Sequence, residues 1–489
     1  DGKSVFVKFV WKPLQGLSNL VWDEAQKIAG KDPDFHRRDM YEAIDRGDFP
    51  QYEFGVQIVP EEDQFKYPFD LLDASKIIPE SLVPVTRLGK MTLNRNVDNF
   101  FSETEQVTFH MGHVVRGIGF TNDPLLHGRL FSYLDTQLNR MNSKNFMQLP
   151  INRPIVPVHN NFRDGFMQPV VFQGKVNYYP NTMQDNTPQV ASPQTDGYID
   201  YPEYVNGSKG RGKYGKFADH FSQAQLFYNS LTTPEQQQVV DAARFELGRC
   251  SNMTIRQNMV QVFNRVDNNM ATRIAFGVGV PLPEQTEVNQ NQTDHALSIE
   301  NYPCPKDIKT KRVAILTVPG IDAQEAKTMF DILHRKGAYV DMIGLKQGEQ
   351  QNGLWANHTY LTTSSVLYDG FYVPSGDVQA FYLLSNNISA FPYQEPLVYL
   401  LDAFRHGKPI AASGHGSLLL KASGIPLSVM TLSHEQQKNL GLFVVDGIAD
   451  FDMFGDELEK GLRRQRYWNR LPLDPNAKQS PTLSQPCSE

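Results

Sequence analysis

Two side chains in one short run have the types and spacing to hold a metal ion. In Gly128-Arg129-Leu130-Phe131-Ser132-Tyr133-Leu134-Asp135-Thr136-Gln137, Arg129 and Tyr133 stand four residues apart, which puts them on one face of a helix. A free phenol titrates near pH 10 and is a poor ligand while protonated. A guanidinium beside it and a ferric ion in front of it both favour the phenolate. Holding it ionised at pH 7 takes about 4 kcal/mol, from roughly three pKa units. Taken alone, the pair reads first as a cation–π or surface contact. His110 and His113 form an H-x-x-H pair, but with no carboxylate partner they are too little for a metal site. The three cysteines, Cys250, Cys304 and Cys487, lie far apart without metal-ligand spacing. Three reduced thiols in a reducing, cytoplasmic compartment are the expectation.

These residues need elements to position them. Asp123-Pro124 is an N-cap followed by Pro at the first helical position. Phe131, Leu134, Leu138 and Met141 then repeat at helical spacing, so Arg129 and Tyr133 are predicted to ride on a helix. Around it, residues 111–225 are rich in Pro, Asn, Gly and Tyr and have little periodicity. Their aromatics (Phe146, Phe162, Phe166, Phe172, Tyr178, Tyr179) point to a segment wrapped over another surface rather than a disordered one. Residues 1–110 mix short helices with strands, as in the alternating run 52–59 and in 90–94, and read as antiparallel or barrel-like. Residues 226–283 are helical, opened by a capping box at Thr233-Pro234-Glu235-Gln236, with Gly277-Val278-Gly279 read as a turn. Residues 284–309 are a linker. From 310 to 470, buried strands (Arg312-Val313-Ala314-Ile315-Leu316-Thr317-Val318, 338–343, 368–374, 409–413) alternate with helices such as 323–336. That pattern means a parallel, doubly wound sheet; a tail, 471–489, follows. The fold class is therefore α+β with an added α/β domain.

The 489 residues are 40% hydrophobic with a net charge of −7. Charges are interspersed, which argues against nucleic-acid or polybasic membrane partners, and no apolar run reaches the ~20 residues of a membrane span. Asp1-Gly2-Lys3 leads at once into Val5-Phe6-Val7-Lys8-Phe9-Val10-Trp11. A strand with nothing before it suggests a chain that starts inside a domain.

The wider string changes the reading of Tyr133. Arg-x-Phe-x-Tyr-x-Asp-Thr, as it stands at 129–136, resembles the proximal haem motif of catalases. Phe6-Val7-Lys8-Phe9 and Gly47-Asp48-Phe49-Pro50 look like catalase barrel segments. Leu93-Asn94-Arg95-Asn96, Asn99-Phe100-Phe101 and Glu105-Gln106 are similar to the family's run before its haem helix. Asn161-Phe162-Arg163-Asp164-Gly165 and Asn177-Tyr178-Tyr179-Pro180-Asn181 resemble its wrapping loops. The doubly wound extension is similar to that of the large-subunit branch and resembles the flavodoxin-like, class-I amidotransferase-like fold. There Gly414 stands where an amidotransferase nucleophile would be, and Ser413 is one position early in Ala411-Ala412-Ser413-Gly414-His415-Gly416. Catalytic silence is the expectation.

The resemblance implies a partial catalase β-barrel over 1–110, a wrapping segment, a helical domain and a C-terminal flavodoxin-like domain. It implies disproportionation of hydrogen peroxide at a haem (b or modified d type), in a homotetramer. Tyr133 would be the axial iron ligand, as is general for catalases. Arg129, Phe109, His110 and Asp135 would line the cofactor, Arg129 holding the phenolate charge and Asp135 fixing the turn around it. His110, 23 positions before Tyr133, would pack against it and be joined to it covalently, or be a hydrogen-bonded core histidine. The family's distal His and Asn match nothing here and are expected upstream, so no catalytic acid–base residue falls in this chain. Three alternatives remain: an inactive structural fragment, a hydrolase seated in 310–470, and nicotinamide binding, against which the absence of a dinucleotide fingerprint speaks.

Overall fold

The computed structural model describes residues 3–155, 164–195, 197, 204–208, 210, 212, 215–350, 353–387 and 389–478. The Asn161-Phe162-Arg163 part of one motif, and Cys487, lie outside them. The chain divides into two compact units. The first comprises Asp1–Lys8, Gln57–Ile78 and Arg95–His220; the second comprises Phe9–Val56, Pro79–Asn94 and Phe221–Glu489.

Strands β1 (Val5–Pro13), β2 (Gln51–Pro60) and β3 (Thr86–Thr92) form a sheet in that order, with α1 (Trp22–Lys31) and α2 (Phe35–Asp45) between the first two. β2 and β3 are antiparallel, with Gln51 opposite Thr92 and a register shift at Phe54/Gly55. Phe9 and Trp11 meet Phe54 with ring centroids 6.1 and 4.9 Å apart, an aromatic cross-strand cluster of the kind that pins register.

The first unit contains α3 (Pro124–Met141). Asp123 caps it by accepting from Leu125 N, Pro124 sits in its first turn, and Asn142 ends it with a left-handed φ of 53°. The N-terminal end is as the sequence predicts. The expected apolar stripe is a different matter. Only Gln137 is buried on this helix, while Phe131 is 73% exposed and Leu134 and Leu138 are exposed too. Among the wrapping-segment aromatics, Phe146 is buried, but Phe166, Tyr178 and Tyr179 are exposed.

In the second unit, α4 (Ser222–Ser230), α5 (Thr233–Gly248), α6 (Met253–Asn264) and α7 (Asn268–Val278) pack around Tyr228, Val240, Val260, Met270 and Ile274. The capping box is present but starts one residue earlier than expected, at Thr232, with Glu235 as its return partner. Gly277 and Val278 are not a turn: they close α7, and Gly279 is its left-handed cap at φ 71°.

The larger core belongs to a six-stranded sheet. Its strands are β4 (Arg312–Leu316), β5 (Tyr339–Gly344), β8 (His358–Thr359), β9 (Gly370–Val373), β10 (Ile410–Ser413) and β11 (Leu442–Val445), ordered β11-β10-β9-β4-β5-β8 with every pair parallel. A small antiparallel pair, β6 (Gly348–Glu349) and β7 (Trp355–Ala356), lies between β5 and β8 in sequence. Helices α8 (Ala323–Arg335), α9 (Val378–Asn386), α10 (Glu395–Arg405), α11 (Gly416–Ala422), α12 (Leu427–Met430), α13 (His434–Asn439) and α14 (Phe451–Arg464) connect and follow the strands. Residues such as Phe371, Tyr372, Ala411 and Ala412 are fully buried. The strands read as continuous apolar runs because helices cover both faces of a parallel sheet.

Within the second unit, α1 joins this layer through buried charge. Glu24 and Lys408, both without solvent exposure, pair at 3.0 Å, and Arg466 reaches the same Glu24 oxygen at 3.0 Å. Lys408 also donates to the carbonyls of Ser365 and Tyr368 at 3.0 and 2.6 Å. His406 Nε2 lies 2.7 Å from Asp23 Oδ2.

One expectation is corrected outright. Cys304 is disulfide-bonded and Cys250 is free, so the cysteines are not three reduced thiols.

Candidate functional site: the tyrosine face of helix α3

The four-residue spacing does what it promises. The Arg129 guanidinium carbon lies 5.3 Å from the centroid of the Tyr133 ring, and both side chains are half-buried. This is cation–π range, and it places a permanent positive charge beside the phenol.

One and two turns further along α3, Gln137 and Arg140 reach across to residues 105–109, where the chain leaves the one-turn helix Phe101–Glu105 through Gln106 at φ −87° and ψ 0°. Gln137 Nε2 donates to Phe109 O at 3.0 Å. Arg140 donates to Glu105 O at 2.6 Å and to Val107 O, and its guanidinium also holds Gln137 Oε1 at 2.8 Å. From the alternate side of the segment, Asn152 Oδ1 accepts from Thr108 N at 2.9 Å, and its Nδ2 donates to Gln106 O at 2.9 Å and Phe146 O at 3.1 Å. Side chains here complete main-chain hydrogen bonds that no helix or strand makes for this turn.

This segment delivers His110. Its Nδ1 accepts from Gly112 N at 2.8 Å, which leaves the proton of the neutral ring on Nε2. Nε2 is buried with no hydrogen-bond partner among the described residues. The ring stacks on His113, centroids 4.6 Å apart at 28°. Partial burial and the neighbouring His110 push the His113 imidazole below its ordinary pKa. Phe109, 73% exposed, presents its ring to the surface while its carbonyl is held. Asp135 lies inside α3 and is exposed. The role expected of it, fixing a turn, has no turn to act on, and two residues from Tyr133 it points to another face.

Gln137, Arg140 and Asn152 were not read from the sequence. The first two could have been: at four and seven residues past Tyr133 they repeat its helical face. Asn152 has no sequence signal, since its partners are 44 and 46 positions away.

A porphyrin fits this set of side chains. Tyr133 is a potential anionic-oxygen donor backed by a cation, Phe109 is exposed aromatic surface, and His110 Nε2 is a buried donor with an unmet hydrogen bond among the described residues. A second cluster does not read as a metal centre. Among the described residues, only Asp23, Asp402 and His406 group closely enough to hold an ion. There the Lys27 ammonium already bridges Asp23 and Asp402 at 3.0 and 2.9 Å.

In the α/β layer, Ser413 is fully buried and donates to Glu325, which also accepts from Tyr372 OH at 2.5 Å and Ser375 N at 2.8 Å. His415 instead makes a 2.9 Å bond to Gly376 O. Gly414 has φ 49°, and a Cβ there would strike Ser375. A serine inside a carboxylate knot, with no histidine on it, is not an activated nucleophile.

The comparisons with known proteins agree with this layout. The family described as Catalase matches residues 1–185, Catalase-related immune-responsive matches 214–278, and the C-terminal domain found in long catalases matches 309–472. The chain is 43% identical over 474 residues to a catalase of Alkalihalophilus pseudofirmus, covering 96% of this chain and 66% of that one. It is 43% identical over 475 residues to Catalase-2 of Bacillus subtilis, with the same coverage. It is 41% identical over 486 residues to Catalase HPII of Pseudomonas putida, covering 96% and 64%. The chain thus spans about two-thirds of the length of the curated relatives it matches. With the proximal motif on α3, an α/β layer where long catalases carry theirs, and about 40% identity over nearly its whole length, the chain belongs to the catalase family, in its large-subunit branch.

Proposed function

We propose that the protein carrying this sequence is a haem catalase, disproportionating hydrogen peroxide to water and dioxygen, and that this stretch supplies the tyrosine side of its haem site. The observation that carries the reading is the Arg129 guanidinium 5.3 Å from the Tyr133 ring, within a family match over 1–185. Tyr133 offers its phenolate oxygen as the axial ligand. Arg129 offsets the negative charge on that oxygen, which lowers the cost of keeping it ionised at neutral pH. Phe109 provides apolar contact. When bound, a ferric haem of b or d type supplies the redox chemistry of peroxide cleavage. The reading assigns no distal acid–base pair to this sequence.

His110 is taken to lie against Tyr133 and to be joined to it in the mature protein. Such a bond forms by loss of one hydrogen from each residue, with peroxide as the oxidant, reduced to water. The joined peptide would be lighter than its two parts by two hydrogens. Separate His110 and Tyr133 peptides in the holoprotein would rule the bond out.

The three-strand sheet is assigned to a catalase barrel, and the α/β domain at 310–470 draws support from the family match over 309–472. Leaving aside the two-residue edge strand β8, the α/β layer runs 2-1-3-4-5 in its own strand numbering, which is the flavodoxin-like order. A homotetramer without nucleic-acid or membrane partners completes the reading; among the described residues no helix is long and apolar enough to cross a membrane. Against the cytoplasmic location expected from the cysteines stands the disulfide at Cys304, since such bonds persist mainly in oxidising compartments. The alternative, a catalase fragment with a structural role only, draws on the shorter span relative to the relatives. Oxygen evolution and an absorption spectrum of the whole protein test both. A haem spectrum lost on Tyr133→Phe supports the proposed ligation, and an unchanged one overturns it.

A further inference from the structure

The segment that carries Phe109 and His110 has an unusual support. From 105 to 109 its outward groups alternate between two side-chain anchors. The carbonyls of Glu105, Val107 and Phe109 are held by Arg140 and Gln137 of α3, and Gln106 O and Thr108 N by Asn152. Gln137 is the one side chain of α3 that is buried, and Arg140 fixes its amide by donating to Oε1 through both Nε (3.1 Å) and Nη2 (2.8 Å). The amide oxygen so held can only accept, which turns Nε2 outward to donate to Phe109 O.

We infer that Arg140, working through Gln137 and opposed by Asn152, is a positioning residue that sets the register of Phe109 and His110 along the Tyr133 helix. This rests on the proposed reading of Tyr133 as an iron ligand and deepens it. The geometry explains why an arginine is needed. Glu105 O and Val107 O stand two residues apart where the chain leaves its helical turn, and the planar guanidinium of Arg140 donates to both while still holding Gln137. A lysine ammonium keeps the charge but lacks the fork. Without the clamp, the segment slides or swings relative to α3, and the buried Nε2 of His110 moves with it. The bonds of Arg140 go to backbone carbonyls and to Gln137, not to the Tyr133 or His110 rings, so its effect on the site is transmitted through backbone.

The test uses the whole holoprotein with Arg140→Ala, Arg140→Lys and Asn152→Ala, beside Tyr133→Phe. Three readouts are taken: amide exchange of Thr108, haem retained per chain, and the tyrosinate-to-iron charge-transfer region of the absorption spectrum. Arg140→Ala is expected to speed Thr108 exchange at least about tenfold, the scale of losing hydrogen bonds to a charged group, and to shift the spectrum, with far-UV circular dichroism unchanged. Arg140→Lys should fall between the two. A variant that merely melts at lower temperature, with the native spectrum and native Thr108 exchange, would overturn the inference. If Arg140→Ala fails to fold, Arg140→Lys and Asn152→Ala carry the same test with the same overturning result. A normal haem spectrum in Tyr133→Phe would instead sink the underlying ligand assignment, so the two failures are distinguishable.

Discussion

Residues 105–141 of the first unit and the six-stranded sheet of the second solve the same backbone problem in opposite ways. In the sheet, main-chain groups bond to neighbouring strands, and Phe371, Tyr372, Ala411 and Ala412 are fully buried. Its strands keep their apolar side chains inside, while Tyr382 of α9 and Leu427 of α12 stay exposed. In residues 105–141, the side chains of Gln137, Arg140 and Asn152 hold the backbone, and Phe109 and Phe131 stand 73% exposed. The difference is one of means: the sheet is held by main-chain pairing, whereas residues 105–141 are held by side chains reaching main-chain groups, with His110 Nε2 left buried without a hydrogen-bond partner among the described residues.

The largest expected effect would break the comparison if absent. Tyr133→Phe should weaken haem retention by more than about a hundredfold, given that even partners of a metal ligand typically cost ~10–100-fold. The melting of the α/β layer should stay as it is. Haem titration and calorimetry of the same sample report both.

Lys408→Ala should do the converse. It leaves Glu24 buried opposite only Arg466, and stripping one partner from a buried pair typically costs about 3–5 kcal/mol. Urea unfolding should show that loss with the haem spectrum intact; a loss under about 1 kcal/mol would mean the seam is not held by this pair.

Gly414→Cys should destabilise the layer by about 1–3 kcal/mol, the usual cost of left-handed backbone in a residue with a Cβ. It should gain no esterase or amidase turnover. Measurable turnover would show that the layer is only one residue away from catalysis and is not closed.

The smallest effect is one of pH. Burial pushes His406 below its ordinary pKa, and this outweighs the attraction of Asp23 and Glu24. The unfolded imidazole therefore binds its proton at higher pH than the folded one. The stability this confers is present above about pH 6.5 and is lost as pH falls toward the folded value, at about 1.4 kcal/mol for each pH unit that separates the two. Unfolding curves at pH 7.5 and 5.5 should differ less in His406→Gln than in the native protein. Equal differences would assign the acid sensitivity to other groups.

Much of this was legible in the residues themselves. Arg129 and Tyr133 share a face because helical spacing alone fixes it, and Asp123 and Pro124 open that helix through local cap chemistry. The parallel layer was readable because strands buried on both faces must be apolar throughout. Gly414 was suspect from its type alone. Other features came only from tertiary structure, because their partners are distant in sequence or depend on what covers what. The stripe of Phe131, Leu134 and Leu138 spelled an amphipathic helix, yet periodicity cannot say whether that face meets protein. The Asn152 clamp and the burial of Lys408 against Glu24 each join residues far apart in the chain, and no local rule of spacing reaches that far.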